Sequence, residues 1–338
     1  MVNESGVLDE ALERLHATGP EFQGWLSNHA PMVVETLVRH GHAESVHRWL
    51  ERYRDRLDEA PRPYERVTVT GWRGALGDHR RLADWTDFFR RETAERPWRE
   101  VLAVWWPRLL PGISGAATHP VIRVGHVART LLDDGETTPR RTELAHALGY
   151  WAARHATLPE DLRCTPAPAR APGALDRVRA VEQDGGIRDR LARITELPGW
   201  PDGPSAGPGA ARERLTELVR ATTHRYATHA HGSPVMLVHA ATAPNAVLRT
   251  LPALPRDLWE PSLRAAWAAA AAVTAAYAPT RPGPAHGTDC TSAEEVFARA
   301  AAHGDAHTVK FADTALDVGD ARALRAAVRS VELIEPPD

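Results

Sequence analysis

Apolar residues recur every three or four positions through almost the whole chain, and strands and helices nowhere alternate. Across Ala43–Leu57, for example, Val46, Trp49, Leu50, Tyr53 and Leu57 fall on one helical face. The same spacing predicts helices over Leu8–His16, Pro31–His40, Arg80–Glu95, Trp98–Leu110, Thr118–Leu132 and Pro139–His155. It continues over Leu175–Glu182, Ile187–Leu197, Ala211–Ala227, Ser233–Leu251, Arg256–Tyr277, Ser292–Ala302, His307–Val318 and Ala321–Val331. Prolines sit where a first helical turn tolerates them, at Pro31 after the capping types Ser27 and Asn28, and at Pro120 after Thr118. The clearest strand candidate is Arg66–Thr70, and a parallel α/β sheet is not expected. The fold class is therefore all-α, a multi-helix single-domain bundle. No fixed repeat emerges, although paired helices leave a solenoid open. Proline- and glycine-rich stretches at Pro159–Pro172, Pro198–Gly209 and Pro279–Gly287 read as loops. The first could divide two helical halves, 1–158 and 173–338.

At 338 residues the chain can bury a substantial core. A net charge of −3 and a pI near 6.6 give no basic footprint for nucleic acid. The longest alanine-rich run, Ala265–Ala278, is too short to span a bilayer. Glu4, Asp9, Glu10 and Glu13 near the start do not match a secretory signal. Two cysteines, Cys164 and Cys290, make neither a disulfide framework nor a thiolate zinc site. The expectation is a soluble cytoplasmic protein whose partner is a small molecule.

Of 41 basic residues only one, Lys310, is a lysine. Arginine stays protonated, whereas a buried lysine can lose its proton and then react or be modified. Seventeen histidines are present. His16, His40, His42, His47 and His79 lie among Arg and Glu on expected solvated faces. His224, His229 and His231 cluster in an expected loop, where they could bind metal but more simply face solvent. His29, His119, His239 and His307 differ. Each sits at or near the apolar face of its own helix, His239 in mid-helix. Singly, each is a core or capping histidine. Together they offer four imidazoles from four helices, the way bundles build internal metal sites. His307 and Lys310 are three apart and share a helical face. A lysine beside metal-binding imidazoles could coordinate as the neutral amine, or take up carbon dioxide and present an anionic carbamate. The alternative is a salt-bridged lysine.

His126 follows His119 by seven residues on the same face, with Arg123 between them, and both are candidates for contacting substrate or assisting proton transfer, although His126 could also orient a ligand or be a core residue. Asp305 could orient an imidazole but reads better as a helix N-cap. Trp98, Trp105, Trp106 and Trp151 could wall a pocket, although large aromatics are more often core. Asp84 and Asp87 read as helix surface. Glycine-rich phosphate loops, the Gly-x-Ser-x-Gly elbow and His-Glu-x-x-His are all absent, and Gly71-Trp72-Arg73-Gly74 reads as loop. Glu13-Arg14-Leu15-His16 has di-iron spacing but no partner.

Several separated segments, in order, resemble the questin oxidase-like family over most of the chain. Asn28-His29-Ala30-Pro31-Met32 is similar to its Asn-His-x-Pro-Met. Gly77-Asp78 followed by Trp85 is similar to its Gly-Asp…Trp element. Trp98–Pro111 leads to Thr118-His119-Pro120-Val121-Ile122-Arg123, where the family usually has Gly in place of Pro120. Gly149-Tyr150-Trp151, His239-Ala240-Ala241-Thr242-Ala243 and Asp305-Ala306-His307-Thr308-Val309-Lys310 complete the set.

The resemblance implies an all-helical oxygenase of aromatic polyketide metabolism. Fungal relatives open quinone rings of anthraquinones with molecular oxygen. It also implies a mononuclear non-haem iron(II) held by His29, His119, His239, His307 and a carboxylated Lys310, with His126 able to replace one of the others. The substrate does not carry over, and a need for external NAD(P)H stays open. Two other functions compete. A metal-dependent hydrolase could also use a carbamylated lysine, although His229-Ala230-His231 is expected in a loop rather than on a barrel strand. A non-catalytic helical binding protein would tolerate Lys310→Arg.

Overall fold

The computed structural model describes residues 4–201, 207–284 and 292–337. Cys290 and parts of two of the proline-rich loops (202–206 and 285–287) lie outside the described residues. The architecture is all-α, with strand among the described residues confined to two pairs of short strands. The chain forms two compact units. One comprises Met1–Ala156 with Pro252–Pro255, the other Thr157–Leu251 with Arg256–Asp338.

The first unit contains α1 (Glu4–His16), a hairpin of β1 (Glu21–Phe22) and β2 (Leu26–Ser27), α2 (Ala30–Arg39) and α3 (Val46–Arg54). Then follow α4 (Trp72–Ala75), α5 (Leu82–Glu95), α6 (Trp98–Leu109), α7 (His119–Asp133) and α8 (Thr138–Ala153). Its core is aromatic. Trp85, Phe88, Phe89 and Trp105 pack edge-on or stacked with centroids 5.0–5.7 Å apart. Trp106 meets Trp151 edge-on at 5.2 Å. Each such ring, fully buried, contributes about 2–3 kcal/mol of hydrophobic stabilisation. The four tryptophans singled out from the sequence are thus core. Gly149 lets α8 lie directly on α5, since a Cβ there would come within 2.8 Å of the Thr86 amide nitrogen.

The second unit contains β3 (Arg163–Thr165), α9 (Ala171–Asp176), α10 (Ile187–Ala192), β4 (Glu196–Pro198), α11 (Pro208–His229) and α12 (Pro234–Leu237). It continues with α13 (His239–Thr250), α14 (Trp259–Tyr277), α15 (Ala293–His303), α16 (Ala306–Val318) and α17 (Ala321–Leu333). The alanines of α14 are buried nearly all round, so neighbouring helices approach closely. Ser292, Asp305 and Asp320 cap α15, α16 and α17 through their side chains, and Gly304 and Gly319 end α15 and α16 with left-handed φ values of 80° and 74°.

Several sequence expectations need correction. Residues 66–70 form no strand. Their neighbours Tyr64 and Glu65 instead donate their amides to Asp84 Oδ1, at 2.8 and 3.1 Å, and Val67 O accepts from Arg91. Asp84 is accordingly buried rather than surface, and it also accepts from Arg81. The helix expected over 175–182 lies earlier, at Ala171–Asp176, because Pro172 occupies a first-turn position that favours helix initiation. The helix expected to Leu197 stops at Ala192, and β4 pairs in parallel with β3 inside the supposed loop. Gly74 belongs to α4. The helix expected over 233–251 is divided, with His239 at the start of α13 rather than in mid-helix. His224 and His229 lie in α11 and His231 in the turn ending it, not in a loop. No described helix is long and apolar enough to cross a membrane.

Candidate metal centre

In the first unit, Asn28 fixes the chain ahead of α2. Its Oδ1 accepts from the Ala30 amide at 3.0 Å and its Nδ2 donates to Gly19 O at 3.0 Å. Pro31 then occupies the first turn. Between them, the His29 amide donates to the Tyr53 hydroxyl at 3.0 Å. His119 begins α7 after a strained turn. Ala116, Ala117 and Thr118 have φ values of 44°, 54° and 67°, a left-handed run that costs side-chain-bearing residues roughly 1–2 kcal/mol each. Gly115 admits no side chain, since a Cβ would meet Arg154 O at 2.0 Å. This turn aims the Ala116 carbonyl at His119 Nδ1, 2.7 Å away. Nδ1 therefore carries the proton, and Nε2 presents a lone pair. That Nε2 lies 2.7 Å from His29 Nε2. Pro120 sits in the first turn of α7, where its missing N–H breaks no helical bond.

Further along α7, the His126 Nδ1 lies 2.7 Å from Glu35 Oε2. Arg129 grips the same carboxylate, Nε to Oε1 at 2.9 Å and NH2 to Oε2 at 2.6 Å. Arg123 donates through Nε and NH2 to Glu143, whose Oε2 is also 3.1 Å from His16 Nε2. Burial would raise the Glu143 pKa, but Arg123 and His16 outweigh it and hold the carboxyl down to about 2. His16 is thus tied to a buried acid rather than lying on a solvated face. Glu35, His126, Arg123 and Glu143 line one narrow cleft with Arg140. His29 with His119, and separately Glu35 with His126, are buried groupings of donor atoms that could bind a metal ion.

In the second unit, His239 is fully buried and its Nδ1 lies 3.1 Å from Met236 O, which again fixes the proton on Nδ1 and the lone pair on Nε2. The His307 ring stands nearly perpendicular to it, centroids 5.4 Å apart. Burial lowers the His307 pKa against the pull of Asp305, and Lys310 lowers it further. Asp305 is the N-cap of α16, accepting from the His307 amide at 2.8 Å, and its carboxylate also lies 3.6 Å from His307 Nδ1. Lys310, one turn on, is fully buried. Its Nζ has no hydrogen-bond partner among the described residues, and burial lowers its pKa to about 7. His224, by contrast, pairs with Asp320 at 2.8 Å, and His229 with Thr228 Oγ1 at 2.8 Å. Among the described residues these two and His231 form no metal-holding group.

Sequence reading missed Glu35, Arg129 and Glu143. A signal existed for the first two. Glu35 interrupts the apolar run Val33-Val34-Glu35-Thr36-Leu37, and Arg123, His126 and Arg129 repeat every three residues along an otherwise apolar helix. Among known proteins, no family model matches the chain, and no curated sequence matches it.

Proposed function

We propose that this chain is a non-haem iron(II)-dependent oxygenase, similar to the questin oxidase-like family. It would act in the cytoplasm, using O2 to oxidise or cleave an aromatic, quinone-type small molecule. Lys310 carries the reading. An ammonium buried without a partner is costly, and here burial brings the pKa to about 7, so the neutral amine is accessible near neutral pH. A neutral amine can take up carbon dioxide as a carbamate, whose anionic oxygens offset the charge of a metal. Imidazole nitrogens with one such oxygen suit iron.

The proposed ligands are those the resemblance implies. They are His29, His119, His239, His307 and Lys310 as its carbamate. Iron, when bound, would supply an open position for oxygen activation. The protein's own groups do the rest. The Ala116 and Met236 carbonyls hold two imidazoles in the tautomer whose Nε2 can donate to a metal. Glu35 orients the His126 ring through Nδ1, and that ring is the proposed group for proton transfer. Arg123, clamped on Glu143, is a fixed positive charge beside the same cleft.

The test is metal content after anaerobic purification with iron(II) and bicarbonate. Wild type is expected to carry near-stoichiometric iron. Lys310→Arg, His119→Ala and His239→Ala are each expected to lose it. Equal, low metal in all four would overturn the reading. A carbamylated lysine equally suits a metal-dependent hydrolase. Turnover that persists without oxygen would favour that alternative.

A further inference from the structure

We propose that Arg73 and Arg108 form a binding site, on the surface of the first unit, for the phosphate group of a small molecule. None of the residues proposed as metal ligands belongs to it. Trp72 and Arg73 are consecutive residues of α4, and Trp105 and Arg108 stand one turn apart on α6. The two indoles meet edge-on, centroids 5.3 Å apart. The Arg108 guanidinium carbon lies 5.2 Å from the Trp72 centroid and 4.7 Å from that of Trp105. The Arg73 carbon lies 4.5 Å from the same Trp72 centroid. Two cations thus share one ring, and the two carbons can be no farther apart than those two distances laid end to end.

Contact with an indole face orients a guanidinium but leaves its in-plane N–H groups without acceptors. Neither of these two guanidiniums has a hydrogen bond or ion pair among the described residues. Neighbouring arginines show the contrast. Arg96 is held by Glu92 at 3.3 Å and by Glu100 at 3.8 Å, and Arg91 by Asp87 at 3.5 Å. Burial lowers the Arg108 pKa, and Arg73 and Arg96 lower it further against the pull of Glu92. Arginine nonetheless stays protonated. The repulsion therefore stands until an anion comes between the two groups. Arg73 is exposed and Arg108 half-buried, so the pair is open to an incoming ligand.

Each planar fork suits two oxygens of one anion. Two forks are best filled by an anion with at least three oxygens and a double charge. A phosphate group has both, whereas a carboxylate has two oxygens and a single charge. Glu92 and Glu100 border the site and repel an extended polyanion, which restricts the occupant to a small molecule. Inorganic phosphate and a phosphomonoester share this chemistry.

The test titrates the full-length protein, at constant ionic strength, with inorganic phosphate, glycerol phosphate and acetate, following arginine Nε–H signals by nitrogen-15 NMR. Saturable shifts of the Arg73 and Arg108 signals are expected with both phosphates, and acetate should bind about tenfold more weakly or worse. Arg73→Gln and Arg108→Gln should each weaken phosphate by about tenfold or more, while the remaining arginine signals report that each variant is folded. Arg108→Lys keeps the charge but loses the fork, and should also weaken phosphate. Arg48→Gln, on α3, should change nothing. Tighter binding of glycerol phosphate than of inorganic phosphate would identify a phosphomonoester as the occupant, and the reverse order free phosphate. No saturable shift in wild type, equal affinity for acetate and phosphate, or full phosphate binding by Arg73→Gln or by Arg108→Gln would each overturn the proposal.

Discussion

The Nε2 atoms of His29 and His119 face each other across 2.7 Å, from the starts of two different helices. Two lone pairs at that separation repel, and two N–H groups collide, so without a metal one proton sits between them. Ala116 O already takes the Nδ1 proton of His119. His119 Nε2 is then the acceptor and His29 Nε2 the donor. Nitrogen-15 spectra of the metal-free protein should show neutral His119 protonated at Nδ1 and an Nε2–H on His29. A redox-silent divalent ion such as zinc should remove that Nε2–H signal. His119→Ala should abolish the response. Finding His119 protonated at Nε2 would overturn the arrangement.

The turn before His119 makes a stability prediction of unusual sign. Glycine adopts a left-handed φ without the Cβ penalty of roughly 1–2 kcal/mol, against an entropic cost of about 0.5–1 kcal/mol. Ala116→Gly and Ala117→Gly should therefore be neutral or stabilise by up to ~1 kcal/mol in urea unfolding. Gly115→Ala should do the reverse, costing on the order of 3 kcal/mol, because backbone rather than a mobile side chain stands 2.0 Å from the new Cβ. Marked destabilisation by both alanine-to-glycine changes would show that the turn is not strained.

Glu35 and Arg129 form a buried ion pair shared with His126. Removing one member leaves the other charge uncompensated, so Glu35→Leu and Arg129→Met should each cost about 3–5 kcal/mol. The double variant should recover much of that loss, because an apolar pair of similar size needs no partner. Urea denaturation of the four proteins forms a double-mutant cycle. Simple additivity would show that the two side chains do not depend on each other.

The helices were legible because periodicity survives wherever one face is buried, as across Val46, Leu50 and Tyr53. The errors fell where tertiary partners decide. Residues 66–70 look like a strand in isolation, yet Asp84, far along the chain, takes the hydrogen bonds of the adjacent segment. Pro172 looks like a loop residue until a helix begins beneath it. At the candidate site, His29, His119, His239, His307 and Lys310 stood out by their apolar neighbours or their rarity. Glu143 did not, because it follows Arg140 and Arg141 in the polar first turns of α8. Only the fold shows that Arg123 and His16 converge on it.

Lys310 gives the clearest pH signature. Its pKa is about 7 in the folded chain against an ordinary 10.5. Below pH 7 the amine is charged in both states, and the folded protein carries the full cost of burying it. Between 7 and 10.5 the unfolded chain keeps a proton that the folded chain has released. Unfolding then takes up a proton, so stability rises with pH, by up to about 1.4 kcal/mol per unit. Lys310→Met removes the group, so the variant should exceed wild type by up to ~5 kcal/mol at pH 6, with the gap narrowing toward pH 10. Urea denaturation across that range, in metal-free buffer purged of carbon dioxide, reads the gap directly. A gap that stays constant with pH would mean that Lys310 does not titrate in the folded state. Carbon-13 bicarbonate supplied at pH 8 should then yield a protein-bound carbamate carbon in wild type and none in Lys310→Met, since only the neutral amine attacks carbon dioxide.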